Sequence, residues 1–271
     1  MKKRALSALL SLALCFTLAG QAAAAESGVD FIVDGTALTA EVYSRVENGS
    51  TYVNYVPILY ALYPDATAVW ANGRAEITAD GLTLYIKPGV PYLEANGRYL
   101  YVPDGIWCEG NNVMVPVRAL CQALGASVEW DSATGDILIT SGGSPITSGD
   151  AYYNAEDLYW LSRIIYAESG NQSLEGKIAV GNVVLNRVAH PQFPNTVYDV
   201  LFQPNQFYPV GSGVLERTPS AESVIAAKLC LEGANTAGNA LYFVNPTMSP
   251  GSWASCNRTL VATIGAHAFY A

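Results

Sequence analysis

One carboxylate in this chain of 271 residues is set where it could move a proton. In Asp157 to Glu168 the apolar residues Leu158, Leu161, Ile164 and Ile165 recur at steps of three and four, and Glu168 continues their stripe. The spacing predicts a helix whose buried face ends in an acid. A carboxyl at the margin of a dry core is disfavoured as an anion, so its pKa should rise above about 4.3, toward the range useful to a proton donor near neutrality. Ser169, Gly170 and Asn171 break the helix, leaving Glu168 beside a polar turn with room for a ligand, to which Ser169 is the nearest contributor. The plainer alternative is that Glu168 caps its helix or bridges to Arg163 or Arg187.

The element that must face this acid follows at once. Leu174, Ile178, Gly181, Leu185 and Val188 form one apolar stripe and Val180, Val183 and Val184 another, so this second helix is apolar nearly all round and belongs at the centre of its domain. Asn182 and Asn186, four apart on it, need partners if buried. Two roles are open to them: holding the catalytic turn, or bonding nearby backbone. Glu175 stands at the start of the same helix, where exposed amide groups already favour a negative charge. It is therefore either a helix-start acid or a second acid at the site.

Five further patterns occur in order with short spacers: Tyr166-Ala167-Glu168, Glu175-Gly176, Val184-Leu185-Asn186-Arg187-Val188, Phe193-Pro194-Asn195-Thr196-Val197 and Gln203-Pro204-Asn205-Gln206-Phe207. With Ala240-Leu241-Tyr242-Phe243, Trp253 and the closing run Thr263 to Tyr270, the region from about Asp157 to Tyr270 resembles the cell wall hydrolase family of the spore cortex-lytic enzymes. The resemblance implies a compact, mainly helical lysozyme-like or lytic-transglycosylase-like domain that cuts peptidoglycan glycan strands, with Glu168 as catalytic acid. Members of that family commonly carry a peptidoglycan-binding module at the amino terminus, where this chain has a different repeat, so general wall remodelling is expected over a role specific to spore germination. Simple glycosidases need two carboxylates. One suffices if it protonates the bridging oxygen and then removes the proton from the C6 hydroxyl of N-acetylmuramic acid, closing a 1,6-anhydro ring. Lytic transglycosylation is thus preferred over hydrolysis by a muramidase, and the rival from another class is a glycan-binding wall scaffold without turnover.

Sugar faces are apolar and their edges are hydroxyls. The rings Phe207, Tyr208, Tyr242, Phe243 and Trp253, with the amides of Gln206, Asn182 and Asn245, are the candidate substrate contacts, and Trp253, in a loop of Gly, Ser and Pro, is the foremost platform. A zinc enzyme would need about three ligands, and the chain has only His190 and His267, no HExxH pattern and cysteines at unsuitable spacing. A serine or cysteine hydrolase would need a histidine beside its nucleophile, for which neither is well placed. No metal and no cofactor is expected.

Composition bounds the rest. An apolar content of 51% and this length allow two domains, giving a two-domain α+β chain. Lys2, Lys3 and Arg4, an apolar run from Ala5 to Ala19 and the small residues Ala22 to Ala25 have the layout of a cleaved secretory signal over 1–25. Gln21 stands where a lipid-accepting cysteine would have to be, so a secreted, wall-located protein without a membrane anchor is expected. Loss of the signal leaves 11 basic against 23 acidic side chains, about −12 in net charge, a poor match to nucleic acid. Cys108, Cys121, Cys230 and Cys256 remain. An oxidising environment favours the pairs Cys108–Cys121 and Cys230–Cys256, with free buried thiols as the alternative.

Residues 26–141 hold most of the acid and a series of hairpin signals: Asp34-Gly35, Asn48-Gly49, Asp80-Gly81 and Asn96-Gly97. A repeat of about sixty residues aligns Val56-Pro57 to Val69-Trp70 with Val115-Pro116 to Trp130, each copy reading as hairpin, short helix, hairpin. This β-hairpin-rich repeat half resembles the stalk domain at the amino terminus of copper amine oxidases. The resemblance implies neither copper nor oxidase chemistry, because 26–150 contain no histidine. Scaffold or spacer is the expected role, and the alternative is an exposed aromatic patch, built from some of Tyr52, Tyr55, Tyr60 and Tyr63, that touches glycan or protein. The Gly- and Ser-rich residues 142–152 read as a flexible linker to the catalytic domain, 153–271.

Overall fold

The computed structural model describes residues 29–204, 206–207 and 213–271. The expected signal over 1–25 lies outside the described residues, as do Asn205 and Tyr208. Among the described residues no helix is long and apolar enough to cross a membrane.

Turn chemistry builds the first half. Asp34-Gly35, Asn48-Gly49 and Asn96-Gly97 have positive φ at both positions, as two-residue hairpin turns require. Asn72-Gly73 does the same and was missed in the sequence pattern, whereas at Asp80-Gly81 only the glycine is left-handed. The first hairpin is β1 (Phe31–Val33) and β2 (Thr36–Ala37). One repeat copy is β3 (Ser44–Glu47), β4 (Ser50–Asn54), α1 (Tyr55–Leu62), β5 (Thr67–Ala71) and β6 (Arg74–Ala79). After β7 (Leu82–Ile86), β8 (Tyr92–Ala95) and β9 (Arg98–Tyr101) comes the second copy: β10 (Trp107–Glu109), β11 (Asn112–Pro116), α2 (Val117–Ala123), β12 (Ala126–Trp130) and β13 (Ile137–Ser141). The copies interlock, because β4 pairs with β11 and β1 runs parallel to β13, while β5 to β9 form an antiparallel meander. The tyrosine patch does not form: Tyr52 and Tyr55 are core residues, the Tyr63 hydroxyl donates to Leu124 O at 2.8 Å, and Tyr60 alone of the four is exposed.

Residues 142–152 differ from the expected flexible linker. Ile146 is buried, its N–H donates to Ala123 O, and its carbonyl accepts from Asn96 Nδ2 at 2.8 Å. The segment is seated because backbone meets backbone: a Cβ on Gly125 would lie 1.8 Å from Ser144 O, and one on Gly142 1.9 Å from Gly125 O. The chain then enters a short helix α3 (Gly149–Tyr152).

The second half contains α4 (Ala155–Ser169), α5 (Leu174–Ala189), α6 (Val197–Leu201), a 3-10 turn (Val214–Glu216), α7 (Ala221–Leu231), β14 (Tyr242–Val244), α8 (Trp253–Asn257), β15 (Leu260–Ile264) and β16 (His267–Tyr270). Side-chain caps start the helices: Asn154 accepts from Glu156 N and Asp157 N, Ser173 from Gly176 N, and Ser220 from Ser223 N. As its all-round apolar sequence predicts, α5 is central, packing on α4, α6 and α7 and touching β14 and β15. The three strands form one sheet in the order β14-β16-β15.

The preferred disulfides are corrected by this packing. All four cysteines are free thiols. Cys230 is buried on α7 against α5, with its Sγ donating to Ile178 O, whereas Cys256 is exposed on α8. Cys121 faces the core of the first half from α2, and Cys108 is exposed on β10.

The halves share a packed interface. Tyr92, Tyr99 and Tyr101 of the β8–β9 hairpin lie against the second core. Arg98 grips Glu232 with Nε and Nη2, each at 2.7 Å, the Tyr153 hydroxyl adds a third bond to that carboxylate, and Lys228 Nζ donates to Gly97 O at 2.9 Å.

Candidate active site

Glu168 is the penultimate residue of α4 and is half-buried. Burial alone raises its carboxyl above the usual glutamate range. The alternative roles considered for it are occupied elsewhere. Arg163 stacks on Tyr159, 3.5 Å from the ring centre, and donates to Tyr159 O. Arg187 Nε donates to Leu241 O at 2.7 Å. No hydrogen bond or ion pair joins the Glu168 carboxyl to another described residue, so it is left free to act on a ligand. Asp157, at the opposite end of α4, is also raised, by burial and by Glu156 beside it, so a raised carboxyl by itself does not distinguish Glu168.

The turn after Glu168 is pinned on three sides. Gln172 N donates to Ser169 O within the turn, and Gln172 Oε1 accepts from Ala266 N in the β15–β16 turn at 2.9 Å. Lys177, only 2% exposed, donates through Nζ to Gln172 O and to Glu222 at 2.7 Å, tying the turn to the start of α7. Sequence reasoning missed Lys177 and Gln172. The available signal was a lysine within an apolar run, which is tolerated only with partners.

The remaining candidate residues divide by what their polar atoms do. Ser169 is fully buried, and its hydroxyl donates to Ile165 O at 2.7 Å, so it closes the last helical turn and does not face a ligand. Asn182 is also turned inward: Nδ2 donates to Ala234 O at 2.7 Å and Oδ1 accepts from Thr236 N at 2.9 Å. With Asn186, which donates to Gly238 O and Ala240 O, it ties α5 to the segment 234–240 and not to the turn beside Glu168. Asn245 caps its own turn, accepting from Thr247 N and Met248 N. Glu175 is exposed in the first turn of α5. Gln206 is exposed, and His267 is buried beside Phe243 and Phe269, with burial lowering its pKa.

Three candidate rings do converge. Tyr242 and Trp253 meet edge to face at 5.5 Å, with Trp253 exposed. Phe207, itself buried, joins them through Arg187, whose guanidinium lies 5.0 Å from the Phe207 ring, 5.1 Å from Phe193 and 5.4 Å from Tyr242. Arg258 covers the same ledge, 5.2 Å from Tyr242 and 4.9 Å from Trp253, and was not singled out in the sequence.

Fold and site together define a class: a helical domain with one desolvated, unpaired acid at a helix end and an aromatic ledge on a small sheet, joined to a hairpin-repeat domain. Each half is similar to a known family. Residues 171–270 match the cell wall hydrolase family, a match that begins three residues after Glu168, and residues 32–139 match the copper amine oxidase N-terminal domain family. The spore cortex-lytic enzyme of Bacillus cereus is 35% identical over 117 residues, 43% of this chain and 45% of that protein. That of Oceanobacillus iheyensis is 32% identical over 129 residues, 48% of this chain and 46% of that protein. The chain thus spans somewhat under half the length of these relatives. Among solved structures, the catalytic domain of the Bacillus cereus SleB protein is 34% identical, covers 44% of this chain and 92% of its own, and superposes with a TM-score of 0.41. The catalytic domain of the germination-specific lytic transglycosylase SleB from Bacillus anthracis is 33% identical, covers 46% and 100%, and has a TM-score of 0.42.

Proposed function

We propose that the chain is an exported peptidoglycan-cleaving enzyme, a lytic transglycosylase acting at N-acetylmuramic acid linkages with Glu168 as its catalytic residue. The observation that carries this reading is the Glu168 carboxyl itself, raised by burial above an ordinary glutamate and joined to no other described residue. The cell wall hydrolase domain and the spore cortex-lytic relatives support the substrate.

Glu168 gives its proton to the bridging oxygen as the bond from C1 of N-acetylmuramic acid to that oxygen breaks. The carboxylate so formed then takes the proton from the C6 hydroxyl of the same sugar while O6 bonds to C1. A 1,6-anhydro end and a free hydroxyl on the leaving sugar result, and Glu168 is returned protonated. Water is not consumed, and the only acid needed is the one described. Hydrolysis would call for a second, fixed carboxylate; Glu175, the other acid within the family motifs, is exposed and is accounted for by the start of α5. Tyr242 and Trp253 offer the rings for sugar faces, and the segment 1–25 acts as the export signal.

Glu168→Gln keeps the shape of the side chain and removes its proton. The test is mass spectrometry of purified peptidoglycan digested by the parent chain and by this variant. Anhydro-ended fragments from the parent and none from the variant are expected; reducing ends would replace transglycosylation by hydrolysis.

A further inference from the structure

The ledge around Tyr242 holds a charge imbalance that acid catalysis leaves unexplained. Arg187 is 4% exposed, and its Nη1 is buried without a hydrogen-bond acceptor. Burial pushes its pKa down to about 10, which marks a cation held in a poorly solvating place. An arginine so placed keeps its proton and remains charged. Three rings and one backbone carbonyl are its only described partners. Arg258 is exposed on the same ledge, and its guanidinium also lies over Tyr242.

Neither arginine forms an ion pair among the described residues, and the neighbouring sequence outside them, Asn205 and Tyr208 to Ser212, contains no acid. Of the other four cations of the second half, Arg217 is exposed at the end of the 3-10 turn, with no ring contact among the described residues, and three are engaged. Lys177 is paired with Glu222, Lys228 with Gly97 O, and Arg163 with Tyr159. In a chain of net charge −9, two unpaired guanidiniums around one tyrosine ring make a local positive field, strengthened by the low dielectric beneath.

We infer that Arg258 and Arg187, together with the Tyr242 and Trp253 rings, form a carboxylate subsite for the acidic groups that peptidoglycan bears. This rests on the peptidoglycan reading given above. The exposed guanidinium of Arg258 makes the direct contact, and the buried charge of Arg187 deepens the potential below it. Glu168 ends α4 just before the short turn that leads into α5, whereas Arg187 lies near the far end of α5, about 18 Å along its axis from Glu175 at about 1.5 Å per residue. The carboxylate held here therefore belongs to a sugar or stem peptide away from the bond that Glu168 breaks, and the subsite acts on binding and register more than on the chemical step. Two groups supply that chemistry: the carboxylates of the stem peptide itself, and the lactyl carboxylate of muramic acid where no stem is attached, since attachment of a stem converts it to an amide.

Binding decides it, measured by co-sedimentation with three wall preparations. These are intact peptidoglycan, glycan strands stripped of stem peptides by an amidase, and peptidoglycan whose carboxylates have been converted to amides. The chains compared are the parent, Arg258→Gln and Arg258→Glu; position 258 is exposed, so folding is not at risk, and circular dichroism verifies it. On intact wall Arg258→Gln should bind about tenfold more weakly than the parent and Arg258→Glu weaker still. On amidated wall all three should bind alike, at the level of Arg258→Gln on intact wall. On intact wall the carboxylates are those of the stem; loss of the parent's advantage over Arg258→Gln on stripped strands assigns the stem peptide alone, and its retention there shows that the lactyl carboxylate freed by the amidase is accepted as well. Equal binding of parent and variants to intact wall would overturn the inference, as would an undiminished Arg258→Gln effect on amidated wall. Release of fragments by the parent is read separately, so a chain that binds through carboxylates yet cuts nothing would sink the enzymatic reading and leave this one standing.

Discussion

Glu168 carries its negative charge at a free-energy cost, and that cost has two measurable consequences. A glutamate whose folded-state pKa lies above its unfolded value stays protonated in the fold while the unfolded chain has already ionised. The penalty is absent below the ordinary glutamate pKa of about 4.3, grows as pH rises through the raised value, and is complete above it. Glu168→Gln should therefore match the parent in thermal stability at acid pH and exceed it at neutral pH; lower stability at both would reveal a structural partner for the carboxyl. In the proposed mechanism turnover needs the protonated acid at the outset, so the parent's kcat should fall as pH rises past that same pKa; the glutamine variant should lose about a hundred- to ten-thousand-fold below it, and the gap should narrow above it. Glu168 was legible in the sequence because its signal is local, an apolar stripe of helical period ending at a break. The inward turn of Ser169 and Asn182 was not. The Ser169 acceptor is four residues back and could have been suspected, but Asn182 bonds Ala234 and Thr236, whose approach to α5 depends on the tertiary fold.

Among elements, α5 decides where everything in the second half stands. Its all-round apolar pattern made its central place readable, yet the reason for Gly181 emerges only from the crossing of three helices. A Cβ there would lie 2.6 Å from Cys230 Sγ on α7 and 2.9 Å from Ile165 Cδ1 on α4, so this helix can approach both only without a side chain. Gly181→Ala should destabilise the domain by about 1–3 kcal/mol in denaturant unfolding. Adding Cys230→Ala should recover part of that loss, since the sulfur is the nearer obstacle; full additivity of the two changes would mean that the helices separate instead. The same contact explains why the expected Cys230–Cys256 pair is absent, because Cys230 is committed to the α5–α7 seam while Cys256 faces solvent on α8. Cysteine spacing and compartment alone carry no information on direction.

Across the whole molecule, the two halves behave as one packed body where composition suggested a spacer on a loose tether. The Gly- and Ser-rich residues 142–152 look unstructured because their contacts are backbone to backbone, through Gly125, Gly142 and Asn96, and leave no apolar pattern to read. The hairpin repeat was legible from its Asn-Gly turns, but the use of the β8–β9 hairpin as a docking face for α7 was not. Arg98 and Glu232 hold that face, with side chains 10% and 4% exposed. Arg98→Ala strands a buried carboxylate and should remove about 3–5 kcal/mol of stability. A single melting transition should then split in two, and residues 142–152 should become open to proteolysis; one unchanged transition would return the first half to the role of a passive spacer. Mass spectrometry of the glycan fragments released from purified peptidoglycan by the intact chain tests the proposed activity most directly. The parent chain should give 1,6-anhydro-N-acetylmuramic acid ends and Glu168→Gln none. Equal amounts of those ends from both proteins, or no soluble fragments from the parent, would contradict it.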